Sequence, residues 1–86
     1  MSLGPVRVAS GGEGEALGFS GEVLEIVIER AYAPGAPVEM TIDRPDGPLA
    51  VRGKTIGSKR GEDGRFLVRL RLVSLRREDR ARLTTT

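Results

Sequence analysis

Cysteine and histidine are both absent from this chain, and aromatic residues are confined to Phe19, Tyr32 and Phe66. The first two absences remove disulfides, thiolate nucleophiles, imidazole bases and the usual zinc ligands together. With so few aromatic rings, no stacking platform for nucleic-acid bases can be assembled. No run of about 18 apolar residues occurs, and the opening residues do not set a charged segment before an apolar one. Neither a membrane-spanning helix nor a secretory signal is expected, and the setting expected is cytoplasmic. The opening Met1-Ser2-Leu3 is given no structural weight.

Catalysis is not expected either. Ser20, Tyr32 and Lys54 are the remaining candidate nucleophiles, and none has a recognisable base beside it. The paired carboxylates Glu62 and Asp63 sit in a glycine-bounded loop, where solvent keeps both ionised. No cofactor or metal motif is present, so binding is the function class that remains.

What the chain does contain is enough for one thin aliphatic core. At 86 residues it fits a single domain over 1–86, burying roughly 60–65% of the surface its unfolded chain exposes. Charge is divided unevenly. Through Asp43, two arginines stand against seven acids, whereas from Arg44 onward 12 basic residues stand against five acids. Such a division steers partners, or else pairs across neighbouring strands.

Local patterning favours strands. Pro5–Val8 reads as a first strand, followed by a flexible turn region over Ser10–Gly14. Val23–Ile28 is β-branched and nearly continuous, which predicts a central strand buried on both faces. Glu22, Glu25 and Glu29 recur at helical spacing there, but β-branching favours the strand. After the break at Ala33-Pro34-Gly35-Ala36-Pro37, Val38–Asp43 alternates strictly, and Arg44-Pro45-Asp46-Gly47 carries the residues of a tight turn. Leu49–Ile56 forms the return strand, with a bulge expected at Gly53 to turn Ile56 inward. Gly57–Gly64 reads as a polar loop. Arg65–Val73 alternates again, with Phe66, Val68, Leu70 and Leu72 inward and a basic outer face. Leu75–Leu83 has helical composition and is too short to stand alone, so its leucines must dock on the sheet. The last residues, 84–86, read as a frayed tail.

Three segments carry a resemblance. Ala33–Ile42 is a proline- and glycine-containing turn followed by an alternating strand, and Leu49–Ile56 is a strand with a glycine before its last apolar residues. Val68–Leu83 is a final strand followed by a helix rich in Glu, Arg and Leu. In this order they resemble the later part of a PilZ domain, the small bacterial β-barrel known for sensing cyclic di-GMP. The fold that this implies is an all-β antiparallel barrel with a short C-terminal helix. Counting back from Gly35 without a gap aligns Ser20 with the serine of the family's (D/N)xSxxG motif. Gly18 and Val23 stand where the motif has its acid or amide and its last glycine. The family's RxxxR motif is missing, and with Pro5–Val8 as the first strand it would fall before Met1. Arg7 is its nearest substitute.

The resemblance therefore implies a degenerate member, with Arg7 and Ser20 as its remaining ligand-binding candidates. No cofactor is called for, and cyclic di-GMP stays open as a ligand. Protein partners are expected ahead of direct nucleotide binding, in signalling linked to motility, pili or surface behaviour. A homodimer stays open for so thin a core. A second reading is a nucleic-acid binder of small-barrel type. Arg52 and Lys54 alternate on one strand, and Arg65, Arg69 and Arg71 on another, so pairing of those strands would form one basic face. Too few aromatics and an acidic first half argue against a polyanion. The plainer reading of the face is a solvated surface paired with Glu39, Thr41 and Asp43. Arg76, Arg77, Arg80 and Arg82 offer a further interaction surface, unless they serve only the C-terminal end of the helix.

Overall fold

Strands that alternate aliphatic with polar residues need a common interior, and this chain makes one by closing its sheet on itself. The structure is a computed structural model, and it describes residues 3–61, 63–73 and 75–84. Among these, six strands run β1 Gly4–Val8, β2 Glu13–Ser20, β3 Val23–Ile28, β4 Pro37–Arg44, β5 Gly47–Arg60 and β6 Phe66–Leu72, followed by the helix α1 Arg77–Thr84. All neighbours are antiparallel in the order β1-β2-β3-β6-β5-β4, and β1 pairs with β4 to close the barrel. Closure hides most strand edges and encloses a core of side chains. Val6, Leu24, Ile26, Ile28, Ile42, Val68 and Leu70 are fully buried there.

Several expectations need correction. Leu3 belongs to the core, its N–H donating to Ala16 and its C=O accepting from Arg44. β3 is not buried on both faces: Leu24, Ile26 and Ile28 point inward, while Val23, Glu25 and Val27 lie half-exposed on the outside. A barrel has only one interior, and among the described residues no further layer covers this strand. Gly14 lies within β2, a strand that local composition does not announce. It is held by ladders to β1 and β3, with a register break between Ala16 and Gly18.

β5 also differs from expectation. It continues through Gly57, Ser58, Lys59 and Arg60, which pair with β6 instead of forming a loop. Its irregularity falls between Thr55 and Gly57 rather than at Gly53, which stays in register opposite Leu72. Ile56 is turned outward, 43% exposed. Thr55 takes the inward place because its hydroxyl donates to the Ala36 carbonyl at 3.0 Å, satisfying the polar group within the core. Glu62 of the expected carboxylate pair lies outside the described residues, as do residues 85 and 86, while Thr84 closes α1 rather than starting a tail.

The helix seals one end of the barrel. Leu83 is buried, and Leu75, just ahead of the helix, packs against the core. Arg80 donates to the Gly21 carbonyl at 2.8 Å and lies 5.7 Å above the Phe19 ring. Arg82 is paired with Asp46. These arginines dock the helix, so half of the proposed arginine surface is taken up in holding the fold. Among the described residues no helix is long and apolar enough to cross a membrane.

Candidate functional site

The register of β5 on β6 decides which cations meet. Lys54 stands opposite Arg71, Gly57 opposite Arg69, and Lys59 opposite Leu67. Val68, Leu70 and Leu72 of β6 point into the core, so Leu67, Arg69 and Arg71 face outward beside Lys54 and Lys59. Like charges placed directly opposite on a sheet are unfavourable. Among the described residues, Lys54, Lys59, Arg69 and Arg71 form no ion pair. On β3, Val23 lies opposite Arg71, Glu25 opposite Arg69 and Val27 opposite Leu67. The result is a face of four exposed cations interleaved with half-exposed apolar side chains and one carboxylate.

Two of the expected basic residues belong elsewhere. Arg52 is on the outside of β5, 3.8 Å from Glu39, and faces the opposite neighbour, β4. Arg65 precedes β6 and shares a shallow groove with Glu13, Glu15 and Glu29. Lys59 joins the face instead. It was hidden in sequence because Gly57–Arg60 reads as a loop, and only the continued pairing with β6 discloses it.

Arg7 and Ser20 are not brought together. Arg7 pairs in register with Glu13 at one end of β2, and Ser20 ends the same strand, roughly 23 Å away at strand rise. Arg7 is further tied to Asp43, its Nη2 donating to Oδ1 at 3.1 Å. Clamping a phosphodiester needs several guanidinium groups converging on one place, and these two positions do not supply them.

The pKa of Asp46 is held below its ordinary value of 3.8, first by the hydrogen bond from Arg82. Among the described residues no group of three acids could hold a metal ion. In comparisons with known proteins, no family model, no curated protein and no solved structure matches this chain.

Proposed function

We propose that this chain is a non-catalytic binding module of PilZ type, an adaptor in bacterial cyclic di-GMP-related signalling that engages an acidic protein surface through the outer face of β5 and β6. The observation that carries the reading is Lys54 opposite Arg71, neither of them in an ion pair among the described residues. A repulsive pair kept on a sheet is relieved by an anionic partner, and uncomplexed stability is the cost. The barrel with its C-terminal helix supports the kinship with the PilZ architecture. The separation of Arg7 from Ser20 favours protein partners over direct nucleotide binding.

A protein surface suits this face better than a nucleic acid does. Val23, Val27 and Leu67 give apolar contact between the cations, and Glu25 beside Arg69 would repel a phosphate backbone. The test is a photo-reactive benzoylphenylalanine at Leu67, irradiated in the cells from which the chain comes. Protein adducts are expected, and they should vanish when Lys54 and Arg71 are both changed to Glu. Calorimetry with cyclic di-GMP should give no tight binding. Tight nucleotide binding, or adducts to nucleic acid alone, would overturn the proposal.

A further inference from the structure

The barrel is not closed along the whole of β5. Pairing with β6 stops at Leu72 opposite Gly53, whereas β5 reaches back to Gly47. One more bond, from the Val73 N–H to the Arg52 carbonyl at 3.0 Å, ends the ladder. In an antiparallel ladder, alternate residues direct their N–H and C=O to opposite edges. Since the main-chain groups of Arg52 are directed toward β6, so are those of Ala50, beyond the end of β6 at Leu72. Ala50 is exposed, and no hydrogen bond reaches that side of it among the described residues. Next along the edge is Pro48, which has no N–H and can only accept. A proline whose missing donor would face outward marks a genuine open edge.

This edge borders a groove of about 660 Å³, within the range of ligand-sized clefts. Small Thr41 and Ala50, register partners on β4 and β5, both line it. Arg7 of β1 lines it, as do Leu75, Arg76 and Asp79 from the start of the helical segment. Val73, 38% exposed, offers apolar contact at one end. Three basic residues, Arg7, Arg52 and Arg76, line the groove with two acids, Glu39 and Asp79. Arg7 and Arg52 have exposed acidic partners, but the exposed Arg76 side chain has none among the described residues.

We infer that this groove takes an extended, acidic segment of a partner protein, which adds a short strand beside Ala50 and places a carboxylate against Arg76. Main-chain bonds to Ala50 supply affinity, and the arginines supply selectivity for acids. A second copy of this chain fits less well. Antiparallel self-pairing centred on Ala50 would set Pro48 of one copy opposite Arg52 of the other, a place already held by Val73. The inference rests on the binding-module reading for the existence of a protein partner. Its site is separate, since Lys54 and Arg71 do not line the groove.

The test pans displayed random decapeptides on the intact chain. Enriched peptides should alternate apolar residues with Asp or Glu. Their affinity should fall at least tenfold in Arg76→Glu and in Ala50→Pro, and remain within twofold in Lys54→Glu/Arg71→Glu. Addition of an enriched peptide should slow hydrogen exchange at the Ala50 amide, a readout that stands even if Ala50→Pro fails to fold. Absence of enrichment, enrichment of peptides lacking carboxylates, unchanged exchange at Ala50, or concentration-dependent self-association that protects Ala50 without peptide would each overturn the inference. Loss of peptide binding in Lys54→Glu/Arg71→Glu would also overturn it, by assigning the contact to the β5–β6 face.

Discussion

Arg82 of α1 grips Asp46 in the β4–β5 turn with two donors, Nε at 3.0 Å from Oδ2 and Nη2 at 3.2 Å from Oδ1. The same Nη2 donates to the Gly47 carbonyl at 2.7 Å. One guanidinium thus fastens a helix that is too short to persist alone to a hairpin 36 positions earlier. The pairing lowers the Asp46 pKa, with the Arg82 hydrogen bond as its largest cause. A folded-state value below the unfolded one means that the unfolded chain takes up this proton first as pH falls. The contribution is therefore complete above the ordinary value of 3.8 and is lost as pH drops through the lower, folded value. Asp46→Asn should lower the urea midpoint near neutral pH, and the difference from the parent should close as the solution is taken well below 3.8. A difference that stays constant with pH would show that charge plays no part.

Lys54 and Arg71 give a prediction of opposite sign. Lys54→Glu turns a repulsive cross-strand pair into an attractive one, and stability should rise by about 0.2–1 kcal/mol. Both side chains are exposed, so the gain belongs at the lower end and should shrink as salt is added. Adding Arg71→Glu restores like charges and should cancel it. Urea denaturation of the two single variants and the double variant measures the coupling directly.

How far these arrangements could be read in advance depends on which forces are local. β4 and β6 were legible because Val38, Met40 and Ile42, and Val68, Leu70 and Leu72, repeat at the strand period within a few residues, and β3 because its run is β-branched, although that run did not disclose its single buried face. The turn at Pro45-Asp46-Gly47 was legible from residue type: proline presets φ, aspartate bonds its own backbone and glycine accepts a left-handed conformation. β2 was not, because Gly14, Ala16 and Gly18 carry no strand preference, and the strand is held by its ladders to the neighbouring β1 and β3 rather than by its own composition. The end of β5 reads as a loop until Ser58 is seen to accept from the Tyr32 N–H and donate to its carbonyl. At the candidate site the charges themselves were legible, but their meeting depended on register. A shift of one residue flips a strand's outward set, and the irregularity after Thr55 is what brings Lys59 beside Leu67, while Arg65, ahead of β6, lies among acids.

The helix should prove the least independent part of the fold. Leu83 is 2% exposed, and truncating a buried leucine to alanine costs about 2–5 kcal/mol. A domain of this size has of order 4–13 kcal/mol in all. Leu83→Ala should therefore lower the thermal midpoint substantially and release exchange protection in α1 before the strands lose theirs. Arg77→Ala, at an exposed position of the same helix, should change stability by less than about 0.5 kcal/mol. Equal losses in the two variants would mean that helix propensity, not docking, holds α1 in place.

Gly53 and Gly57 separate a packing requirement from a turn preference on one strand. Neither has a left-handed backbone, so conformational freedom explains neither. A Cβ at Gly53 would stand 2.6 Å from the Arg71 carbonyl oxygen and 3.0 Å from its carbon. Both atoms belong to the β6 backbone, which the ladder holds in place, so relief requires β5 and β6 to separate just where Lys54 meets Arg71. At Gly57 the corresponding space is open. Gly53→Ala should destabilise by about 1–3 kcal/mol, as overpacking does, and should shift the amide resonances of Arg71 and Leu72. Gly57→Ala should be neutral or stabilising by up to about 1 kcal/mol through the restricted unfolded chain. Chemical denaturation of both variants decides the matter: a tolerated alanine at Gly53 would mean that the β5–β6 approach is looser than this register requires, and the cationic face would lose its fixed geometry with it.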